Sequence, residues 1–183
     1  MTRETFQAPV AGGVLAGYID GVGPPVLVLH GGPGLSVSIV DGLVADLVPA
    51  YRVATFQQRG IEPSVLDGEF TVDEAVADVG AVLDHLGWDT AYVVGSSWGG
   101  HLGFWVAGAL PGRLRGMLAV DPLGAVGDGS PIPNSAGRAS AERVPAAWTE
   151  VVPGAGHLPW FEAPEAVRQA LDRLAAHSSA SSA

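Results

Sequence analysis

Apolar residues run through this chain in two alternating patterns. Residues 25–30 (PVLVLH), 51–56 (YRVATF), 91–95 (AYVVG) and 116–120 (GMLAV) are short, nearly unbroken apolar runs. Such runs mark strands buried on both faces, as in a parallel sheet covered on each side. Between them, apolar positions recur near helical spacing over 39–48, 98–110, 134–144 and, most strongly, 164–176. Thr71-Val72-Asp73-Glu74 is a capping box and predicts a helix from there to about Leu86. Residues 12–20 predict a strand or hairpin arm ahead of the turn cluster at 21–24, and 149–152 a short last strand. Residues 123–135 are rich in Gly, Pro, Ser and Asp without periodicity and predict a loop.

Strand and helix alternate, so the fold class is α/β: a mostly parallel sheet of about six or seven strands with helices on both faces. At 183 residues one core suffices, because a chain of this size buries roughly 70% of its unfolded surface. Residues 1–177 are read as a single domain and the Ser/Ala-rich 178–183 as a disordered tail.

Charge narrows the partners. The net charge is −10 and the nine basic residues are all arginine, which opposes nucleic acid and anionic membrane and favours a small neutral or cationic substrate. With no cysteine, disulfides and thiolate chemistry are excluded. The first residues show no basic-then-apolar leader, and no apolar run reaches the ~18 residues of a membrane span, so a soluble, cytoplasmic protein is expected.

A serine hydroxyl becomes nucleophilic only beside a base, a group that orients the base, and donors for the oxyanion that forms. Gly95-Ser96-Ser97-Trp98-Gly99 lies between a buried strand and a helix, and only Ser97 has glycine two residues before and two after. Small residues there permit the tight turn that thrusts a nucleophile out of the sheet. The competing reading is a helix N-cap serine with glycines for close packing. His30-Gly31-Gly32-Pro33-Gly34 ends an earlier strand and offers backbone N–H groups, with Gly32 and Trp98 as the candidate oxyanion donors; the plainer reading is a βα turn. Of the five histidines, His157 alone stands in a loop after a predicted strand and downstream of the serine, in the order Ser, acid, His.

HGGPG at 30–34, GSSWGG at 95–100, GAGHLPWFEAPEAV at 154–167 and Gln57-Gln58-Arg59-Gly60 together resemble the proline iminopeptidase branch of the α/β-hydrolases. The resemblance covers residues from about 10 to 175. It implies a Ser, Asp, His triad acting on a small ester or amide, with no cofactor and no metal. In that branch the fourth motif reads Asp-Gln-Arg-Gly, so Gln57 departs from it. Relatives usually carry a helical cap after the sixth strand and a seventh strand whose loop bears the acid. Neither is recognisable here.

The acid therefore stays open between Asp121, ending the sixth strand, and Asp128, two residues before the position where the acid is expected. The last predicted strand could close the gap by pairing with the sixth. Arg59 is read as a structural ion-pair residue and Glu162 as ordering the final helix. A capless relative would lose its amino-terminus selectivity and act as a promiscuous esterase. The alternatives are a silent scaffold and a cofactor-free perhydrolase or carbon–carbon bond hydrolase. Epoxide hydrolases and haloalkane dehalogenases fit less well, because those relatives place aspartate where Ser97 stands. Loss of cap and strand would leave apolar surface open to homodimerisation.

Overall fold

Consecutive residues of a strand face opposite ways, so an unbroken apolar run feeds two cores at once. Val26 and Val28 join Val53, Tyr92 and Val94 on one side of the sheet, while Leu27 and Leu29 join Ala54, Phe56 and Val93 on the other. The computed structural model that shows this describes residues 3–122, 141 and 147–180. Asp128, the loop expected over 123–135 and nearly all of the helix expected over 134–144 lie outside the described residues.

The strands are β1 (Glu4–Val10), β2 (Gly13–Asp20), β3 (Pro25–Leu29), β4 (Arg52–Phe56), β5 (Ala91–Ser96) and β6 (Leu114–Val120). They form one sheet in the order β1-β2-β4-β3-β5-β6. β1 and β2 make an antiparallel hairpin and β2 pairs antiparallel with β4, whereas β4, β3, β5 and β6 are mutually parallel. The α/β class with a mostly parallel sheet is thus realised with six strands among the described residues.

The helices are α1 (Asp41–Leu47), α2 (Val72–His85), α3 (Trp98–Ala109), α4 (Pro159–Glu162) and α5 (Ala166–Ala180). Helices α2 and α3 cover one face, and α1, α4 and α5 the other. Thr71 caps α2 by accepting from Glu74 N at 3.2 Å, but the Glu74 carboxylate returns to Phe70 N at 2.8 Å instead of to Thr71. Among the described residues no helix is long and apolar enough to cross a membrane.

Three expectations are corrected. Residues 4–10, for which the pattern predicts no element, form β1, because Ala8 is buried and Phe6 and Val10 pack on the core from between exposed neighbours. Residues 149–152 form no strand and do not pair with β6. Their pattern is too short to compete with side-chain ties, in which Arg173 of α5 grips the Glu150 carboxylate and Trp148 Nε1 donates to it at 2.9 Å. Residues 178–180, assigned to the tail, continue α5, where Ser178 Oγ donates back to Leu174 O at 2.9 Å.

Among the described residues β6 is the sheet's outer parallel strand, half-exposed over Gly116–Ala119, where β5 is buried throughout. Helix α5 packs across it, and a Cβ at Gly116 would lie 3.1 Å from Leu174. On α3, Trp105 is 52% exposed and Phe104 38%, so apolar surface is open on that flank.

Candidate active site

Four parallel strands end on one edge of the sheet, and the site is built from the segments leaving β3, β5 and β6 there. β5 ends at Ser96, α3 begins at Trp98, and Ser97 alone makes the turn with φ 54° and ψ −118°. That conformation costs a non-glycine residue about 1–3 kcal/mol and persists only where its surroundings enforce it. The flanking glycines are the enforcement. A Cβ at Gly95 would lie 2.2 Å from Gly99 O, and one at Gly99 would lie 2.1 Å from Leu29 O. Ser97 N donates to Val120 O at 2.9 Å, tying the turn to the end of β6. Ser97 occupies the N-cap position of α3, but its side chain makes no capping bond.

The β3 loop lies directly against this turn. A Cβ at Gly31 would come within 3.3 Å of Ser97 Cβ and 3.8 Å of its Oγ. Gly32 has φ 127°, a backbone region that side-chain-bearing residues avoid. Buried His30 orients the loop from behind. Its Nε2 accepts from Gln58 N at 3.1 Å, so the proton sits on Nδ1, which donates to Gly31 O at 2.6 Å. Across a trans peptide C=O and N–H point opposite ways, so the Gly32 N–H is aimed away from His30. Burial lowers the pKa of His30 below the ordinary histidine value, opposed by the Gly31 bond, which keeps the ring in this neutral tautomer.

His157 and Asp121 meet. His157 Nδ1 contacts Asp121 Oδ2, with the Asp121 side chain fully buried and that of His157 38% exposed. Asp121 directly follows β6 with φ 45°. A carboxylate can only accept, so the proton lies on Nδ1 and Nε2 is left as an acceptor. No hydrogen bond joins Ser97 Oγ to His157. The His157 loop is pinned by Gly156 N donating to the Glu162 carboxylate, and by Trp160, buried against Gly42 of α1. Glu162 thus orders this loop, not the start of the last helix, because its carboxylate takes the N–H of Gly156.

Arg59 is structural, as expected. It holds Asp78 through two bonds of 3.0 and 2.7 Å, donates to Ala11 O and Asp67 O, and lies 3.3 Å from Glu74. Burial raises the Asp78 carboxyl pKa, with Arg59 opposing it. His101 lies between Trp98 and Trp105 on α3, tilted against the first ring and edge-on to the second, with centroids 6.0 and 6.5 Å away. Sequence reasoning assigns Gln58 no place in the site. Its only signal there is membership of the fourth motif, and its contacts are tertiary.

Residues 24–131 match the family described as alpha/beta hydrolase fold. The chain belongs to this family. As an α/β-hydrolase it is 35% identical over 104 residues to haloalkane dehalogenase 2 of Mycobacterium tuberculosis strain H37Rv, covering 55% of this chain and 36% of the relative. It is 39% identical over 84 residues to a proline iminopeptidase of Xanthomonas citri, covering 44% and 26%. The chain therefore spans only about a third of the length of the curated relatives it matches. A thermophilic esterase from Thermogutta terrifontis shares the fold with a TM-score of 0.81 at 20% identity, over 97% of this chain and 99% of that one.

Proposed function

We propose that this α/β-hydrolase is a serine hydrolase that cleaves short-chain esters through an acyl-enzyme. The carrying observation is the His157 Nδ1 contact with buried Asp121, which supports Asp121 as the acid over Asp128. His157 Nε2 takes the Ser97 Oγ proton while Oγ bonds to the ester carbonyl carbon, and the C=O electron pair becomes an oxyanion facing the Gly32 and Trp98 N–H groups. As the intermediate collapses, the C–O bond to the leaving group breaks and His157 returns the proton to the departing alcohol. Water, deprotonated by His157, then attacks the acyl carbonyl carbon; collapse of that second intermediate releases acid and returns the proton to Ser97. The positive N-terminus of the twelve-residue α3 favours the same charge.

Selectivity for an amino terminus is not expected. Only 36 positions separate Asp121 from His157, which leaves little chain for the cap that would recognise one. Serine at 97 supports this reading over halide displacement or epoxide opening, despite the dehalogenase similarity. The test is turnover of p-nitrophenyl acetate, expected to be measurable and to fall by about 10³-fold or more in Ser97→Ala. Equal rates in both proteins would refute it.

One observation favours a second reading, a silent scaffold: Ser97 Oγ and His157 are not hydrogen-bonded. Catalytic contacts often close only around substrate, so the distinction needs a probe. Labelling by a fluorophosphonate that disappears in Ser97→Ala supports the enzyme, and no labelling of folded protein supports the scaffold.

A further inference from the structure

The two proposed oxyanion donors come from separate segments, Gly32 from the loop after β3 and Trp98 from the start of α3. Their relative position to within a fraction of an ångström decides how well they serve a developing charge. One side chain bridges the two segments. Gln58 Nε2 donates to His30 O at 2.8 Å, and Gln58 Oε1 accepts from Trp98 Nε1 at 2.9 Å. The amide orientation is fixed by chemistry, since an indole N–H only donates and a carbonyl only accepts. Gln58 N also donates to His30 Nε2, so backbone and side chain of one residue grip the same histidine from two sides.

We infer that Gln58 is a positioning residue that clamps the β3 loop to the nucleophile turn and so holds the oxyanion donors in register. The inference rests on the proposed function for its kinetic consequence and on the hydrogen bonds alone for the clamp. It also fits an amide at this position, which donates on one side and accepts on the other. Glutamate is of the same size and still accepts from Trp98, but it turns a carboxylate oxygen onto the His30 carbonyl. Alanine loses both bonds. Trp98→Phe removes the indole donor while keeping an aromatic ring against the core. Behind the clamp, Arg59 ties the segment after β4 that carries Gln58 to α2 through Asp78, so Gln58 is delivered from a fixed base.

The experiment compares wild type, Gln58→Ala, Gln58→Glu, Trp98→Phe and the Gln58→Ala/Trp98→Phe double variant. Turnover of p-nitrophenyl acetate is measured beside ¹H–¹⁵N spectra of the labelled full chain. Gln58→Ala is expected to lower kcat by about tenfold or more with KM within twofold. Gln58→Glu should be no better than Gln58→Ala, and the double variant should lose less than the product of the single losses. In the spectra, Gln58→Ala should shift both the Trp98 indole N–H, identified by its absence in Trp98→Phe, and the Gly31 and Gly32 amides.

A Ser97-dependent wild type whose Gln58→Ala variant keeps full kcat overturns the inference, as does full rescue by glutamate or an additive double variant. The spectra decide the clamp even where no ester turns over. Movement of both sets of resonances sustains it, whereas an unmoved indole or unmoved glycine amides overturn it. Absence of turnover counts only against the proposed function. Should Gln58→Ala not fold, Trp98→Phe carries the same kinetic and glycine-amide tests.

Discussion

Replacing Gly99 by alanine tests whether the turn is built as described. The new Cβ would lie 2.1 Å from Leu29 O, 2.5 Å from Leu29 C and 2.7 Å from His30 O, all backbone atoms that no side-chain rotation can clear. Ordinary contact begins near 3.4 Å, so α3 must retreat from β3 by roughly 1 Å. Over-packing of this kind costs about 1–3 kcal/mol, and the upper end applies where backbone meets backbone. For a domain of this size that upper end lowers Tm by roughly 6–12 °C. The same retreat separates Ser97 from the Gly31–Gly32 loop, and a misplacement of about 1 Å costs on the order of 10² in rate. The assay is thermal unfolding measured by circular dichroism, paired with ester turnover. Gly108→Ala is the control. It lies on the same helix with nothing within 4 Å of the added Cβ, and there alanine should stabilise by about 0.5–1 kcal/mol through helix propensity. Gly99→Ala within about 0.5 kcal/mol of wild type, or the two variants shifting Tm alike, would refute the reasoning.

Asp121→Asn should lower kcat for a short ester by about 10²–10⁴-fold with little change in KM, because an amide no longer fixes the His157 tautomer; a kcat within threefold of wild type would remove Asp121 from the mechanism. Ser97→Gly should abolish turnover yet leave Tm unchanged or raised, since glycine relieves a turn at φ 54° that costs about 1–3 kcal/mol, offset by its own ~1 kcal/mol of chain entropy. A marked fall in Tm would contradict that strain. His30 has its folded pKa lowered by burial, so between the folded value and about 6.5 the unfolded chain binds the extra proton. Its contribution is complete above the unfolded pKa and is lost as pH falls below it. Urea midpoints at pH 7 and pH 5 should therefore drop more in wild type than in His30→Gln; an equal drop would show that the ring is not held neutral.

How far each feature was legible in the sequence depended on where its interactions live. The runs at 25–30, 51–56, 91–95 and 116–120 marked the four parallel strands, because burial on both faces leaves an unbroken apolar signature. β1 left little signal, since an outer strand with a half-solvated face carries only Phe6, Ala8 and Val10 as apolar anchors between exposed neighbours. The reverse error at 149–152 took two valines for a strand where no sheet partner was in register. The placement of Ser97 and Asp121 was legible because each directly follows a parallel strand, a place local pattern can find, while the choice between Asp121 and Asp128 as acid stayed open. The contacts of Gln58 and Glu162 were not. An amide or a carboxylate in a loop has no periodicity, and its partner is chosen by tertiary approach alone.

Among the described residues no strand follows β6, and the fold positions His157 by other means. In β5 and β6 the register pairs Ser96 with Val120, so the next residues, Ser97 and Asp121, emerge side by side from adjacent strands about 4.8 Å apart. The bond from Ser97 N to Val120 O holds them at that spacing, so an acid on β6 starts beside the nucleophile and needs no further strand to bring it there. What a further strand would supply is support for the histidine loop. Here helices supply it: Glu162 of α4 takes the Gly156 N–H, Trp160 packs on α1, and α5 crosses β6 at Gly116. Helix packing fixes a loop less rigidly than a ladder of strand hydrogen bonds. His157 is seated on Asp121, and its approach to Ser97 is left to that packing. The weak link of the proposed triad is then the Ser–His contact, and it depends on the docking of α4 and α5.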